Sequence, residues 1–271
     1  MNKKIVNFYN PFSIQENFLI KVYKYISTPS KNSISLKFKF ILEILFKRIS
    51  FAFINMNISL NTKAKYKDIV FDARSTNSQF HSIYFDEHKD CYEPDVLAVL
   101  ECFLPIGGVF VDIGSNWGHH SFMALIEKNA NVYSFEPNEK VFNDLKNIKN
   151  FIDSNSRMKI FNHGCGSEEK NFVLKQLNFE SGNASSNKNF LLNKASRVSF
   201  FEKVINLMTF KKSIDQDIYI KKLDDSVDSD LKVDLIKIDV EGNELDCLLG
   251  AKNVIRRSRP YVVFEVHTDD T

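Results

Sequence analysis

The stretch Val109-Phe110-Val111-Asp112-Ile113-Gly114-Ser115-Asn116-Trp117-Gly118 decides how this chain folds. Its apolar run is of the kind that makes a fully buried strand, it ends in an acid, and two glycines carry it into a helix expected from Gly118 to about Lys128. Glycine permits the sharp turn and lets a ligand come close where a side chain would collide, so a ligand site is expected at this strand end. Working outward, the alternation repeats. A helix is predicted over Glu93 to Phe103, stopped by Pro105-Ile106-Gly107-Gly108, then a strand over Val132 to Glu136, a helix from Glu139 to about Ile148, and a strand over Met158 to Phe161. A polar stretch from Asn178 to Asn189 and a variable segment to about Gln216 interrupt the pattern. It resumes with a strand over Val233 to Asp239, a helix from Glu244 to about Ile255 and a strand from Tyr261 to Val266. Strand-helix alternation is the mark of βαβ units, so the fold class is α/β, a doubly wound parallel sheet with helices on both faces.

Upstream the character differs. Ser13 and Glu16 have the form of a capping box, and Phe18, Leu19, Val22 and Ile26 share a helical face, predicting a short helix that ends near Pro29. A second helix is predicted over about Ser35 to Ile49; it either packs on the main domain or, being basic and amphipathic, rests on a membrane surface or a partner. Strand-like pieces follow at Asp68 to Phe71 and Ser82 to Phe85. Residues 1–70 are thus read as an N-terminal appendage of helices and short strands, and 71–271 as the main domain.

Composition excludes several classes. Lys+Arg 36 against Asp+Glu 34 gives a net charge of +2, too balanced for a dedicated nucleic-acid binder. Cys91, Cys102, Cys165 and Cys247 form no CxxC pair and lack histidines at zinc spacing, so neither a disulfide scaffold nor a structural metal is expected. Asn7, Asn10 and Gln15 break up any signal-peptide core, and the apolar stretch Leu36 to Met56 carries five charges, so no export signal or membrane span is read and the compartment is taken as cytoplasmic.

The glycine turn lacks the dinucleotide fingerprint, having Asn116 and His119 where glycines would stand, which disfavours a nicotinamide cofactor. A cofactor with an ammonium and a carboxylate suits it better: the strand-end acid can hold the first, loop amides and the helix N-terminus the second. S-adenosylmethionine has both groups. In Phe135-Glu136-Pro137-Asn138, Glu136 stands where an acid accepts hydrogen bonds from ribose hydroxyls. In Asp234-Leu235-Ile236-Lys237-Ile238-Asp239-Val240-Glu241-Gly242-Asn243-Glu244, alternation brings Asp239 and Glu241 to the ligand edge, one to orient a substrate hydroxyl and the other to accept its proton. Glu244 reads as a helix-start acid. Lys237 reads as structural, pairing with a neighbouring carboxylate.

Residues from about Phe71 to Val266 resemble the FkbM family of S-adenosylmethionine-dependent methyltransferases. The matching pieces are Tyr92-Glu93-Pro94, the Phe110–Gly118 turn, Phe135–Asn138, Leu223-Asp224-Asp225, Asp234–Leu245 and Arg259–Val266, of which the Lys237–Gly242 stretch is the most family-specific. The resemblance implies a class I methyltransferase fold, usually of seven strands, and O-methylation of a hydroxyl on a sugar, glycan or related small molecule. It puts Asp112, Gly114, Asn116 and Gly118, with Ser115 between them, at the methionine part, Glu136 beside Pro137 at the ribose, and Gly164-Cys165 at the adenine edge. Glu93 reads either as a contact to the cofactor's amino group or as an exposed helix-start acid. His119 and His120 read as solvent-facing or packing residues, since adjacent helical positions diverge too far to share a metal. His163 edges the adenine pocket at most. His267, at the end of the last strand, suits a general base. Asn183–Ser186 reads as a solvated loop. Only Thr268 to Thr271 follow that strand, so the expected sheet lacks its last two strands, either in a truncated form or with N-terminal strands supplying the edge. A nicotinamide-dependent oxidoreductase and a non-catalytic binding module are the alternatives; the oligomeric state is open.

Overall fold

The computed structural model describes residues 12–14, 61–66, 69–74, 92–153, 155–177, 184–185 and 213–265. The chain divides into two units, Met1–Tyr92 and Glu93–Thr271. In the first, β1 (Phe12–Ile14), β2 (Asn61–Tyr66) and β3 (Ile69–Arg74) form an antiparallel sheet in that order. Ser13 therefore sits inside a strand, opposite Lys65, and does not open a helix at Ile14. The extended backbone of Ile14 pairs with Ala64, which gives its polar groups a ladder in place of a helical turn. The rest of that predicted helix, the Ser35–Ile49 helix and the Ser82–Phe85 strand lie outside the described residues.

The second unit is built on five parallel strands: β4 (Val109–Ile113), β5 (Asn131–Phe135), β6 (Met158–Phe161), β11 (Leu235–Ile238) and β12 (Tyr261–Phe264). Their order is β12-β11-β4-β5-β6, every neighbouring pair parallel. The α/β reading therefore holds. The order reverses direction between β4 and β11, the switch point at whose carboxyl edge open α/β sheets bind ligands.

Side chains alternate across this sheet. Val111, Ile113, Tyr133, Phe135, Ile236 and Ile238 face one way, into a core with Cys247 of α5 (Glu244–Gly250) and Val254 of α6 (Lys252–Ser258). Phe110 and Asp112 face the other way, toward α2 (His119–Glu127), which is buried at every position from His119 to Leu125. α1 (Pro94–Phe103) begins at a proline, whose missing N–H is free of obligation there, and buries Leu97 and Leu100. α3 (Glu139–Ile152) is capped by Asn138, whose side chain accepts from the amides of Lys140 and Val141. It runs one turn past Ile148 because Ile152 continues the apolar stripe.

Two features escape the sequence reading. The polar interruption is flanked by a second sheet, order β7-β10-β8-β9, of β7 (Gly164–Cys165), β8 (Lys170–Leu177), β9 (Ala184–Ser185) and β10 (Ser213–Lys221). β8 and β10 pair antiparallel from Ser213↔Leu177 to Ile220↔Lys170, and Ala184–Ser185, read as loop, pairs with β8. The predicted helix from Glu244 is also broken in two at Ala251. A Cβ on Gly250 would stand 1.9 Å from the carbonyl oxygen of Gly166, so the backbones touch at the break. Among the described residues no helix is long and apolar enough to cross a membrane. Gly250→Ala should destabilise the protein by about 2–3 kcal/mol or more, because the obstructing atom is backbone and cannot rotate away; urea denaturation of the two proteins measures it.

Candidate functional site at the strand switch point

Gly114 ends β4 with φ 76, and a Cβ there would lie 1.8 Å from the carbonyl oxygen of Asp239. This glycine lets two strand ends close on each other. The expectation that it makes room for a ligand is thus only part of its role. Gly118 (φ 98) opens α2, where a Cβ would strike Leu145 and Phe122. Asn116, between them, is also left-handed (φ 52).

The amides of this turn are already engaged. Those of Gly114 and Ser115 donate to the Phe135 carbonyl (3.0 and 3.1 Å), that of Asn116 to Glu136 Oε2 (3.0 Å), that of Trp117 to Asn116 Oδ1 (2.9 Å) and that of Gly118 to the Ser115 carbonyl (2.9 Å). The expectation that loop amides cradle a carboxylate is therefore corrected: each has an internal acceptor, and a bound anion would have to displace it. A pyrophosphate meets the same obstacle.

What the edge offers instead is carboxylates. Asp112 is fully buried; Ser121 Oγ donates to its Oδ2 at 2.6 Å and lies 2.6 Å from Ser134 Oγ, while Oδ1 faces Lys237 Nζ at 3.7 Å and makes no hydrogen bond among the described residues. Burial pushes its carboxyl above the usual range, Lys237 and Ser121 opposing. Lys237 Nζ donates to Asp239 Oδ2 at 3.1 Å. Burial alone would lower this ammonium's pKa, but Asp239, Asp112 and Glu93 outweigh it and hold it above the ordinary lysine value. Asp239 is 22% exposed, and its Oδ1 has no hydrogen bond among the described residues.

Glu136 is buried and accepts the amides of Asn116 and Asn138 (3.0 and 2.8 Å), tying the glycine turn to the next strand's loop. Burial raises its carboxyl to about 7 against the pull of those two amides. Glu93, left-handed at the head of α1 (φ 46) and 32% exposed, has Oε2 3.4 Å from His120 Nε2. His119 and His120 are buried, not solvent-facing, their rings edge-on at 5.0 Å. Burial, with the Lys237 charge, drops His119 to about 3 and lowers His120 too, so both are neutral near pH 7.

Other predicted positions are placed differently. β11 stops at Ile238 and the chain turns through left-handed Glu241 (φ 54) and Gly242 (φ 102), so strand alternation does not carry Glu241 alongside Asp239. Gly164 and Cys165 are buried in β7, where a Cβ on Gly164 would meet Ile220 at 2.6 Å; Pro137 is half-buried beside it. His163 is half-buried, its ring 5.3 Å from Phe135 and 5.8 Å from Phe161. His267 lies outside the described residues. Asp234 is structural: it accepts the Val109 amide at 2.8 Å. So is Asp224 of α4 (Leu223–Ser226), which accepts the amides of Asn253 and Val254. The sequence reading missed the Ser121–Ser134 pair, visible only once β4 and β5 are in register. A cleft of about 420 Å³ is lined by Ser167, Lys222, Asp224, Asp225, Lys252 and Arg256, none of them among the predicted site residues.

The model of the methyltransferase FkbM domain matches residues 112–271, from the buried acid of β4 onward. The chain belongs to the FkbM family. No curated protein and no solved structure matches it. As an FkbM-family protein it is a methyltransferase, which sets aside the nicotinamide alternative.

Raised above its unfolded value of 4.5, Glu136 stabilises the fold most below that pH, and the contribution is lost as pH rises through about 7. Glu136→Gln should therefore gain stability over wild type as pH goes from 5 to 8, by roughly 3 kcal/mol at most. Urea denaturation at both pH values checks it; an equal difference at the two would refute the assignment.

Proposed function

We propose that this chain is an S-adenosylmethionine-dependent O-methyltransferase of class I fold, acting on a hydroxyl of a sugar, glycan or related small metabolite. One observation carries the reading beyond family membership: the ligand edge presents carboxylate oxygens while the glycine turn has spent its amides. Such an edge suits a cationic, hydroxyl-bearing ligand and resists a polyanion. The residues fit the cofactor on this count. Asp239 Oδ1 and Glu93 can accept from its ammonium, with Asp112 behind them. Glu136 keeps a lone pair on each oxygen for the ribose hydroxyls. Ser115, Asn116 and Gly118 shape the turn against the methionine part, and Pro137, Gly164 and Cys165 the adenine edge.

Bound S-adenosylmethionine supplies the electrophilic methyl group. The protein's part is then to orient the acceptor oxygen in line with that carbon and remove its proton. Asp239 is the partly exposed carboxylate assigned to the proton, Glu241 orients the acceptor, and His267 is the further candidate base. Free thiols at Cys102, Cys165 and Cys247 suit a cytoplasmic enzyme.

Titration calorimetry of the folded chain should show S-adenosylmethionine binding, weakened about tenfold or more in Glu136→Ala. Mass spectrometry of candidate glycans should show a methyl gain that, at saturating cofactor, falls about a hundredfold in Asp239→Asn. No binding by the wild-type chain would sink the reading.

A further inference from the structure

A buried lysine in the middle of a parallel sheet is a costly choice, and its strand neighbours Leu235, Ile236 and Ile238 show that apolar residues fit there. Lys237 is not exposed to solvent that would repay its charge. Its ammonium is instead divided between two carboxylates on opposite sides of the switch point, Asp112 of β4 at 3.7 Å and Asp239 beyond β11 at 3.1 Å. Asp112 is pinned from behind by Ser121, so Lys237 has a fixed anchor on one side. On the other side it takes one oxygen, Oδ2, of Asp239, whose side chain is 22% exposed.

We propose that Lys237 is a positioning residue of the transferase site, joining Asp112 to Asp239 across the switch point so that the Asp239 carboxylate is held at the ligand edge. This rests on the transferase reading above. A packing role alone would be met by methionine, which matches the stem in length and lacks the charge. The groups facing Lys237 are Asp112 from β4, Asp239 beyond β11, Glu93 at the head of α1, and His119 and His120 on α2; Glu136 at the end of β5 acts on Asp112 and Asp239 in turn. Only the lysine is cationic, since both histidines are neutral.

The sign of the pH effect follows from Asp112. Without the lysine, burial is opposed only by the Ser121 hydrogen bond, so the folded pKa of Asp112 rises further above the unfolded value; the stability it contributes is present below that value and lost as pH climbs. Thermal unfolding of the cofactor-free protein should therefore show the melting temperature of Lys237→Met falling further behind wild type at pH 8 than at pH 5, with Lys237→Arg recovering most of the difference. A gap that does not change with pH would overturn the proposal. If Lys237→Met does not fold, the double variant Asp112→Asn/Lys237→Met should fold, because it removes both charges together; a double variant that also fails would overturn the proposal.

Calorimetry at pH 8 completes the test. Lys237→Met should bind S-adenosylmethionine about tenfold more weakly than wild type, and Lys237→Arg nearly as well. Equal affinity in wild type and Lys237→Met would sink the positioning role alone. Absence of binding by wild type would sink the transferase reading and the positioning role resting on it, while the unfolding gap would still report whether Lys237 and Asp112 are coupled.

Discussion

A charged row across the middle of the sheet organises the second unit. Register places Ser134, Asp112 and Lys237 side by side on β5, β4 and β11, on the face that α2 covers. The next positions outward, Ile160 on β6 and Val263 on β12, are apolar, so the polar row is confined to the three central strands. Buried polar groups must be satisfied internally, which means α2 cannot be a plain apolar lid. Ser121 on that helix meets both Asp112 and Ser134, so the helix is located by hydrogen bonding as well as by Phe122 and Leu125. The opposite face, packed with Val111, Ile113, Ile236 and Ile238, makes no such demand.

The same place is where the backbone is tightest. Gly114 and the Asp239 carbonyl come together beyond the last rung of β4 and β11, and the Asp239 amide donates to the Ile113 carbonyl at 3.0 Å. The two strand ends thus stay joined where neighbouring connections diverge, one into α2 and one into α5. An acid carried on that junction has little freedom of position. Glu136 adds a third tie by bridging the amides of Asn116 and Asn138, so all three loops at the edge are fastened to one another before any ligand arrives. Preorganisation of this kind keeps the ordering of loops from being charged against binding.

The central strands were legible in the sequence because their apolar runs are bounded by glycine, proline and asparagine. Val109–Ile113 could be placed to the residue, and Leu235–Ile238 lies within the longer run Val233–Asp239. The β8–β10 pairing was not read, although Ile214, Ile218 and Ile220 alternate with polar residues in a strand-like way. A long polar insertion separates the two strands, and their partnership is a non-local contact that no local window contains. Glu241 was misplaced for a different reason. Period-two spacing was extended beyond the end of the strand, into a left-handed turn that glycine at 242 foreshadows. The engagement of the Gly114, Ser115 and Asn116 amides could not have been foreseen, since their acceptors, Phe135 and Glu136, come from the end of the next strand and its loop.

Those engaged amides change what a glycine turn at a strand switch point signifies here. In a phosphate-binding loop the unsatisfied N–H groups are the recognition element, and the helix dipole adds to them. In this chain the same backbone shape fastens strands, and the carboxylates around it are Asp112, Asp239, Glu93 and Glu136, with Lys237 the cation that faces them among the described residues. Two opposite charges about 4 Å apart are worth about 4 kcal/mol at an effective dielectric of 20. An excess of carboxylates over cations therefore favours a ligand cation over a polyanion at this edge. Lys237 pairs with the deepest carboxylate, Asp112, at 3.7 Å and holds one oxygen of Asp239 at 3.1 Å, so the geometry of that edge rests on the lysine standing between the two acids.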